Sequence, residues 1–283
     1  MKLFSKPIKK RQVFLYLVLI FIIYIVVLIT FRSPSNDRDW SLDQQILPYA
    51  EFAGDTVHIK NIRNFEYQST DSYTPRYYDK TVNLNDLVSV DYIVEPLASV
   101  AVAHTLLSFG FSDGSRVAIS VEIRKEKGEE FSPFKGLIRE YELMYVIVDE
   151  RDVLTLRAVH RNNPVYIYPT KATPEVAKKL FVDMIQRANK LKVSPEFYNT
   201  LTSTCTTNIA DHINKITDNR IPWDMRLLLP KNSDQLAYEL GLINTDTSLE
   251  QLRSKYEASE SIKNNLNEPN FSYAIRKDLH KEN

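Results

Sequence analysis

The 283-residue chain has one cysteine, Cys205. It can close no disulfide within itself and build no multi-cysteine metal site. Glycine is scarce, at six residues, which argues against a Gly-rich phosphate-binding fold and against a flexible linker protein. Neither sign of charge is in excess: Lys plus Arg and Asp plus Glu each number 36. A balanced chain offers no reason to expect nucleic acid or a polyanionic partner. No repeat recurs at solenoid periods. There is no C-x-x-C or H-x-x-x-H spacing for zinc and no G-x-S-x-G nucleophile elbow. Nothing calls for a metal or a cofactor. What is present is an ordinary apolar content of 43%, with sixteen tyrosines, enough for a real core.

Residues 13–31 read VFLYLVLIFIIYIVVLITF and carry no charge. At about 1.5 Å per helical residue, that run spans the hydrocarbon core of a bilayer. Lys2, Lys6, Lys9, Lys10 and Arg11 precede it, so residues 1–12 are expected in the cytoplasm and the rest on the far side. A cleaved signal peptide would have a shorter apolar region and a small-x-small cleavage site, and FRSPSNDRD supplies none. The reading is an uncleaved, single-pass anchor.

Residues 32–50, with Pro34 and Pro48, read as a juxtamembrane linker, and residues 51–244 as the folded domain. Strands are expected at DTVHIKN, VNLNDLVSVDYIVE, 98–111 and RVAISVEIR (116–124), the last two joined through Ser112-Asp113-Gly114-Ser115. Further strands are expected at 141–150, 153–159 and 164–170. An amphipathic helix follows Pro174, with Thr173 as its cap and Ala177, Leu180, Phe181, Met184, Ile185, Ala188 and Leu191 on one face. A second helix starts after Cys205, with Ile209, Ile213 and Ile216 in phase. Residues 245–283 are highly charged and read as a frayed tail with at most one short helix, 249–258. Strands first and helices later make an α+β domain.

Cys205 lies in NTLTSTCTTNIADHINKI, where Thr204 and Thr206 are capping residues. A thiol in the first turn, or at the cap, of a helix is a candidate nucleophile, because helix N-termini stabilise a thiolate. It needs an imidazole partner. His58 and His160 have no special context, His280 is in the tail, and His212 reads as a solvent-facing helix residue. His104 interrupts the apolar run SVAVAHTLLSF, as either a satisfied core histidine or a base. Glu122 is a candidate to orient it. A two-residue hairpin loop would put Ile123 opposite His104; a three-residue loop over 112–114, the favoured form, puts Glu122 there.

These stretches together carry a resemblance. HIKNIRNFEYQSTDSYTPRYYDKTVNL, VDYIVEP, AHTLLSFGFSDGSRVAISVEIRKEKGEEFSP, YELMYVIVDERDVLTLRAVHRNN and FYNTLTSTCTTNI, spanning roughly residues 37–217, resemble the Lnb N-terminal periplasmic domain family. The resemblance implies a permuted papain-like (NlpC-like) thiol fold with an antiparallel sheet and packed helices. It also implies a lipoprotein N-acyltransferase activity, with Cys205 in STCTTN as nucleophile and His104 in AHTLLSF as base. Asn61, Arg63, Asn64, Glu122 and Glu142 fall within its motifs, and Tyr198, Asn61, Arg63 and Asn64 are candidates for oxyanion or substrate binding. The acyltransferase of that family carries its membrane helices after the domain, whereas this chain has one before it and none after. The partners expected are a lipid or lipoprotein substrate and the bacterial inner membrane, with the domain in the periplasm. Hydrolysis by the same pair, as a cell-wall peptidase or amidase, and a non-catalytic tethered binding module are the alternatives.

Overall fold

The computed structural model describes residues 10–97, 101–218 and 220–279, except the side chains of residues 28 and 278. Lys2, Lys6, Lys9, His280 and the start of the 98–111 strand lie outside the described residues. Helix α1 (Lys10–Phe31) is the one described helix long and apolar enough to cross a membrane, and none of it is buried against the domain. The strands are β1 (Tyr49–Ala53), β2 (Thr56–Arg63), β3 (Glu66–Tyr67), β4 (Tyr73–Thr74), β5 (Tyr77–Asn83), β6 (Leu87–Pro96), β7 (Ala103–Phe111), β8 (Arg116–Arg124), β9 (Glu142–Asp149) and β10 (Tyr166–Pro169). The remaining helices are α2 (Pro133–Leu137), α3 (Glu150–Thr155), α4 (Pro174–Val193), α5 (Cys205–Ile216), α6 (Ser233–Glu239), α7 (Leu249–Tyr256), α8 (Ser259–Asn264) and α9 (Phe271–Leu279).

Eight strands form one sheet in the order β1-β2-β9-β8-β7-β6-β10, with β5 also on β2. The sheet is mixed, not antiparallel throughout. Arg63 of β2 pairs in parallel with Val148 of β9, while the other pairings are antiparallel. Helices α4 and α5 pack on the sheet, against β6, β9 and β1 and against β7 and β8. The cap that starts α4 is as the sequence dictates: Thr173 accepts from Val176 N, and Pro174 stands first in the helix. Its apolar face, Ala177 to Leu191, is buried.

Four expectations are corrected. The stretch 153–159 is no strand: Asp149 caps a helix by accepting from Arg151 N, and α3 runs on into a π turn, Leu156–His160. Its β-branched residues yield to the cap and to the burial of Val153, Leu154 and Ala158 beneath the sheet. The run 82–95 breaks at a 3-10 turn, Leu84–Asp86, capped by Asn83. Residues 33–48 are no loose linker, since Trp40 and Gln44 are buried and Arg124 donates to Gln44 O, Gln45 O and Asn36 Oδ1. The C-terminal residues form α7, α8 and α9, which bury Leu252, Ile262, Phe271 and Ile275 in the main core. The apolar residues there are few, but they recur at helical spacing, and composition averages that spacing away.

Candidate active site

The N-terminus of α5 is fixed before any partner is considered. Thr204 Oγ1 accepts from Thr207 N at 3.2 Å, and Thr204 N donates to Thr207 Oγ1 at 2.7 Å, a reciprocal capping box. Asn208 Nδ2 donates to Thr204 O at 2.8 Å and to Ser203 Oγ at 3.1 Å, which holds the approach to the helix. Thr206 Oγ1 lies 2.9 Å from Thr105 Oγ1, a buried contact that pins the first turn of α5 to β7. Cys205 Sγ is 3.7 Å from Thr206 Oγ1 and is partly exposed.

The β7–β8 hairpin closes with Phe111 N donating to Ser115 O at 3.0 Å, around a three-residue loop. Its ladder runs from Gly110–Arg116 to Leu106–Ser120, a register that continues to His104 opposite Glu122. His104 Nε2 lies 2.7 Å from Ser120 Oγ, and Ser120 Oγ donates to Glu122 Oε1 at 2.9 Å. Glu122 Oε1 itself is 3.7 Å from His104 Nε2. Serine therefore bridges the imidazole and the carboxylate. This leaves Nδ1 of His104 for the thiol.

Burial of the Cys205 thiol would raise its pKa, yet the hydrogen bond and the charge of His104, with donors from Thr105, bring it down to about 6. Burial likewise opposes ionisation of Glu122, but the charges of His104, Arg157, Arg63 and Arg161 hold its carboxyl down to about 2. Tyr198 is buried, its N donating to Tyr141 O at 3.0 Å, and its hydroxyl is pushed up by burial and by the charge at Cys205. A thiol, an imidazole and a carboxylate thus share one locus.

Other residues singled out from the sequence are engaged elsewhere. Arg63 is buried in an ion pair with Asp152, with Nη2–Oδ1 at 2.9 Å, and reaches the site only through its charge on Glu122. Asn61 occupies a bulge of β2 at φ 61°, a conformation Asn tolerates, and its Nδ2 donates to Leu47 O at 3.1 Å. Asn64 lines a separate cleft with Tyr67, Tyr78 and His160. Glu142 holds the chain after α1 through Ser35 N and Arg38 Nε, at 3.1 and 2.9 Å. Among the described residues, no group of three or more His, Cys, Asp or Glu side chains is placed to hold a metal ion.

Two partners of the site escape a sequence reading. Arg157, fully buried on the π turn, lies 3.5 Å from Glu122 Oε1, with its Nε 2.9 Å from Glu95 Oε2. Reading 153–159 as a strand hides it. His212 is buried, not solvent-facing. Its Nδ1 is 2.6 Å from Asp183 Oδ2 and its Nε2 2.7 Å from the Tyr145 hydroxyl, which lies 3.1 Å from Asn208 Oδ1. Burial lowers the His212 pKa. Asp183 would be raised by burial, but hydrogen bonds from Lys215 and His212 lower it instead. This relay ends on Asn208, which grips the turn before Cys205. His212→Phe is expected to cost about 1–3 kcal/mol in urea unfolding, since Asp183 and Tyr145 lose a buried partner. It should also slow Cys205 alkylation while leaving its pH midpoint in place, because the dyad itself is intact. An unchanged rate would show that the relay is structural only.

A membrane-length helix leads into an α+β domain, and a helix-start thiol meets an imidazole there. The chain belongs to the Lnb N-terminal periplasmic domain family, whose model matches residues 73–231, more than half its length and including both Cys205 and His104. It is accordingly a membrane-associated periplasmic protein. No curated protein and no solved structure matches it.

Proposed function

We propose that this protein is a cysteine acyltransferase on a permuted papain-like domain, anchored in the inner membrane with its N-terminus in the cytoplasm. The observation that carries the reading is the line Cys205–His104–Ser120–Glu122. The thiolate attacks the carbonyl carbon of a lipid ester, and the C–O bond of that ester breaks. The His104 imidazolium gives its proton to the departing alkoxide, leaving an acyl thioester on Cys205. An amine then attacks the thioester and His104 takes its proton. The thiolate leaves and an amide has formed. The N–H groups of Cys205 and Thr206, in the first turn of α5, have no carbonyl partner within the helix and would stabilise the oxyanion. Glu122, through Ser120, holds the imidazole turned toward the thiol.

The position of α1 supports a lipid substrate. Arg139 Nη1 donates to Ile29 O at 2.8 Å, and Arg32 pairs with Glu140 and donates to Arg139 O, which ties the end of α1 beside α2. Thr200 Oγ1 donates to Pro133 O at 2.7 Å, joining α2 to the loop that leads to Cys205. Phe131, Phe134 and Leu201 on these segments are exposed. Apolar side chains beside a membrane helix suit the lipid interface. Mass spectrometry of the full-length protein from membranes should find an acyl adduct on Cys205 that disappears in Cys205→Ser. Full lipoprotein N-acylation by Cys205→Ser would refute the proposal, and release of soluble peptides from peptidoglycan by the wild-type protein would point to hydrolysis instead.

A further inference from the structure

A cavity of about 320 Å³ lies beside the first turn of α5, between β6, β7 and the helices α4, α5 and α6. One wall is a single stripe of α5: Thr206, Ile209, Ala210, Ile213 and the following Thr217, spaced by three and four. Across from it stand Leu107, Val176, Leu180 and Leu236, with Tyr92 at the end nearest Cys205. The lining is mainly apolar, with the hydroxyls of Thr206, Thr217, Ser233 and Tyr92 among it. Ala210, Ile221, Leu227 and Leu236, a small cluster beside the main core, also line the cavity. A mainly apolar space of this kind suits apolar guests.

The space comes within one residue of the reacting atom: Cys205 does not line it, but two neighbours of the thiol do. Thr206 is the neighbour of Cys205 and lines the cavity, and its hydroxyl contacts Thr105, which also bonds the thiol. Tyr92 lines the cavity too, with its hydroxyl donating to Ser233 Oγ at 2.7 Å. The stripe from Thr206 to Thr217 is roughly 16 Å long at about 1.5 Å per residue. A staggered hydrocarbon chain with bonds of about 1.5 Å advances about 1.25 Å per carbon, so the stripe matches roughly a dozen carbons.

We infer that the cavity receives the acyl chain carried on Cys205, as one straight hydrocarbon lying along α5 with its carbonyl at the thiol. The inference rests on the acyltransferase reading and names its donor class: saturated esters of medium length, held by the chain and not by the head group. A bulky side chain in the cavity must then discriminate by chain length.

The test presents p-nitrophenyl esters of 2 to 18 carbons to the full-length protein in lipid nanodiscs and follows Cys205 acylation by mass. For wild type, the rate should climb to about 12–14 carbons and then level or fall. Ala237→Leu, inside the cavity, should lower the ratio of the 14-carbon to the 2-carbon rate by roughly tenfold or more. Val176→Trp, at a half-buried lining position in the first turn of α4, should do the same without entering the core. Ratios that stay at the wild-type value in both variants, with adducts forming at every length, overturn the cavity assignment alone. Absence of any adduct on wild-type protein overturns the acyltransferase reading and the cavity with it.

Discussion

Alkylation of Cys205 by iodoacetamide is expected to reach half its maximal rate near pH 6 and to collapse at neutral pH in His104→Ala. Iodoacetamide reacts with the thiolate alone. A thiol with a pKa of about 6 is about ten parts thiolate to one part thiol at pH 7. Removing the imidazole leaves burial as the dominant influence, and burial raises the thiol. The Thr105 donors and the helix terminus resist that rise only in part. With the pKa at or above the ordinary range, the thiolate fraction at pH 7 falls to about one per cent, and the rate falls by roughly a hundredfold. The direction of the shift also fixes a stability effect. A pKa depressed by folding contributes stability above the unfolded value, lost as pH falls through about 6. Glu122→Gln should act in the same sense but more weakly, since Ser120 still contacts His104. A flat rate profile around pH 6 in the wild-type protein would remove the dyad, and with it every covalent mechanism drawn above.

How much of this site was legible in the sequence follows from the range of the forces involved. The helix start at Cys205 is local, written in hydroxyl residues beside it, although the box closes on Thr207 and not on Thr206. The facing of His104 and Glu122 is also local in origin, because a hairpin loop of known length sets a register that counting can extend. Ser120, two residues from Glu122 on the same face, stands between them for the same reason. Arg157 and His212 are different. Each is a polar residue whose burial depends on partners far along the chain, Glu95 and Glu122 for one, Asp183 and Tyr145 for the other. A histidine seven residues beyond Cys205 reads as exposed until α4 is placed against α5. The strand assignment at 153–159 failed by the same route: β-branched residues are a weak prior, and a cap from Asp149 with burial outweighs it.

The C-terminal helices bear on stability as well as on topology, and Arg276→Met is expected to destabilise the domain more than any surface change. Arg276 Nε lies 2.8 Å from Asp91 Oδ2, and its Nη1 is 2.8 Å from Glu150 Oε2. Arg116 holds the same carboxylates, with Nη2 at 2.7 Å from Asp91 Oδ2 and Nε at 3.4 Å from Glu150 Oε1. Two buried carboxylates and two guanidiniums therefore balance between β6, β8, α3 and α9. Removing one guanidinium strands a buried negative charge, which costs about 3–5 kcal/mol, or roughly 6–20 °C in Tm for a domain of this size. Burial alone would raise Glu150; the Arg276 and Arg116 charges and hydrogen bonds from Arg276 and Ser108 bring it down to about 2. Its folded value is depressed, so its stabilising contribution is full above the unfolded carboxylate range and fades as pH falls toward 2. In Arg276→Met that carboxyl rises and takes up a proton at mildly acidic pH. The deficit against wild type should therefore narrow between pH 7 and pH 4. Glu150→Gln added to Arg276→Met removes the stranded charge and should recover part of the loss, giving a coupling well above the additive limit of about 0.5 kcal/mol. Thermal melts of the full-length protein that show less than about 2 °C between wild type and Arg276→Met would mean that α9 is not held by this cluster. Its apolar residues Phe271 and Ile275 would then account for its docking by themselves.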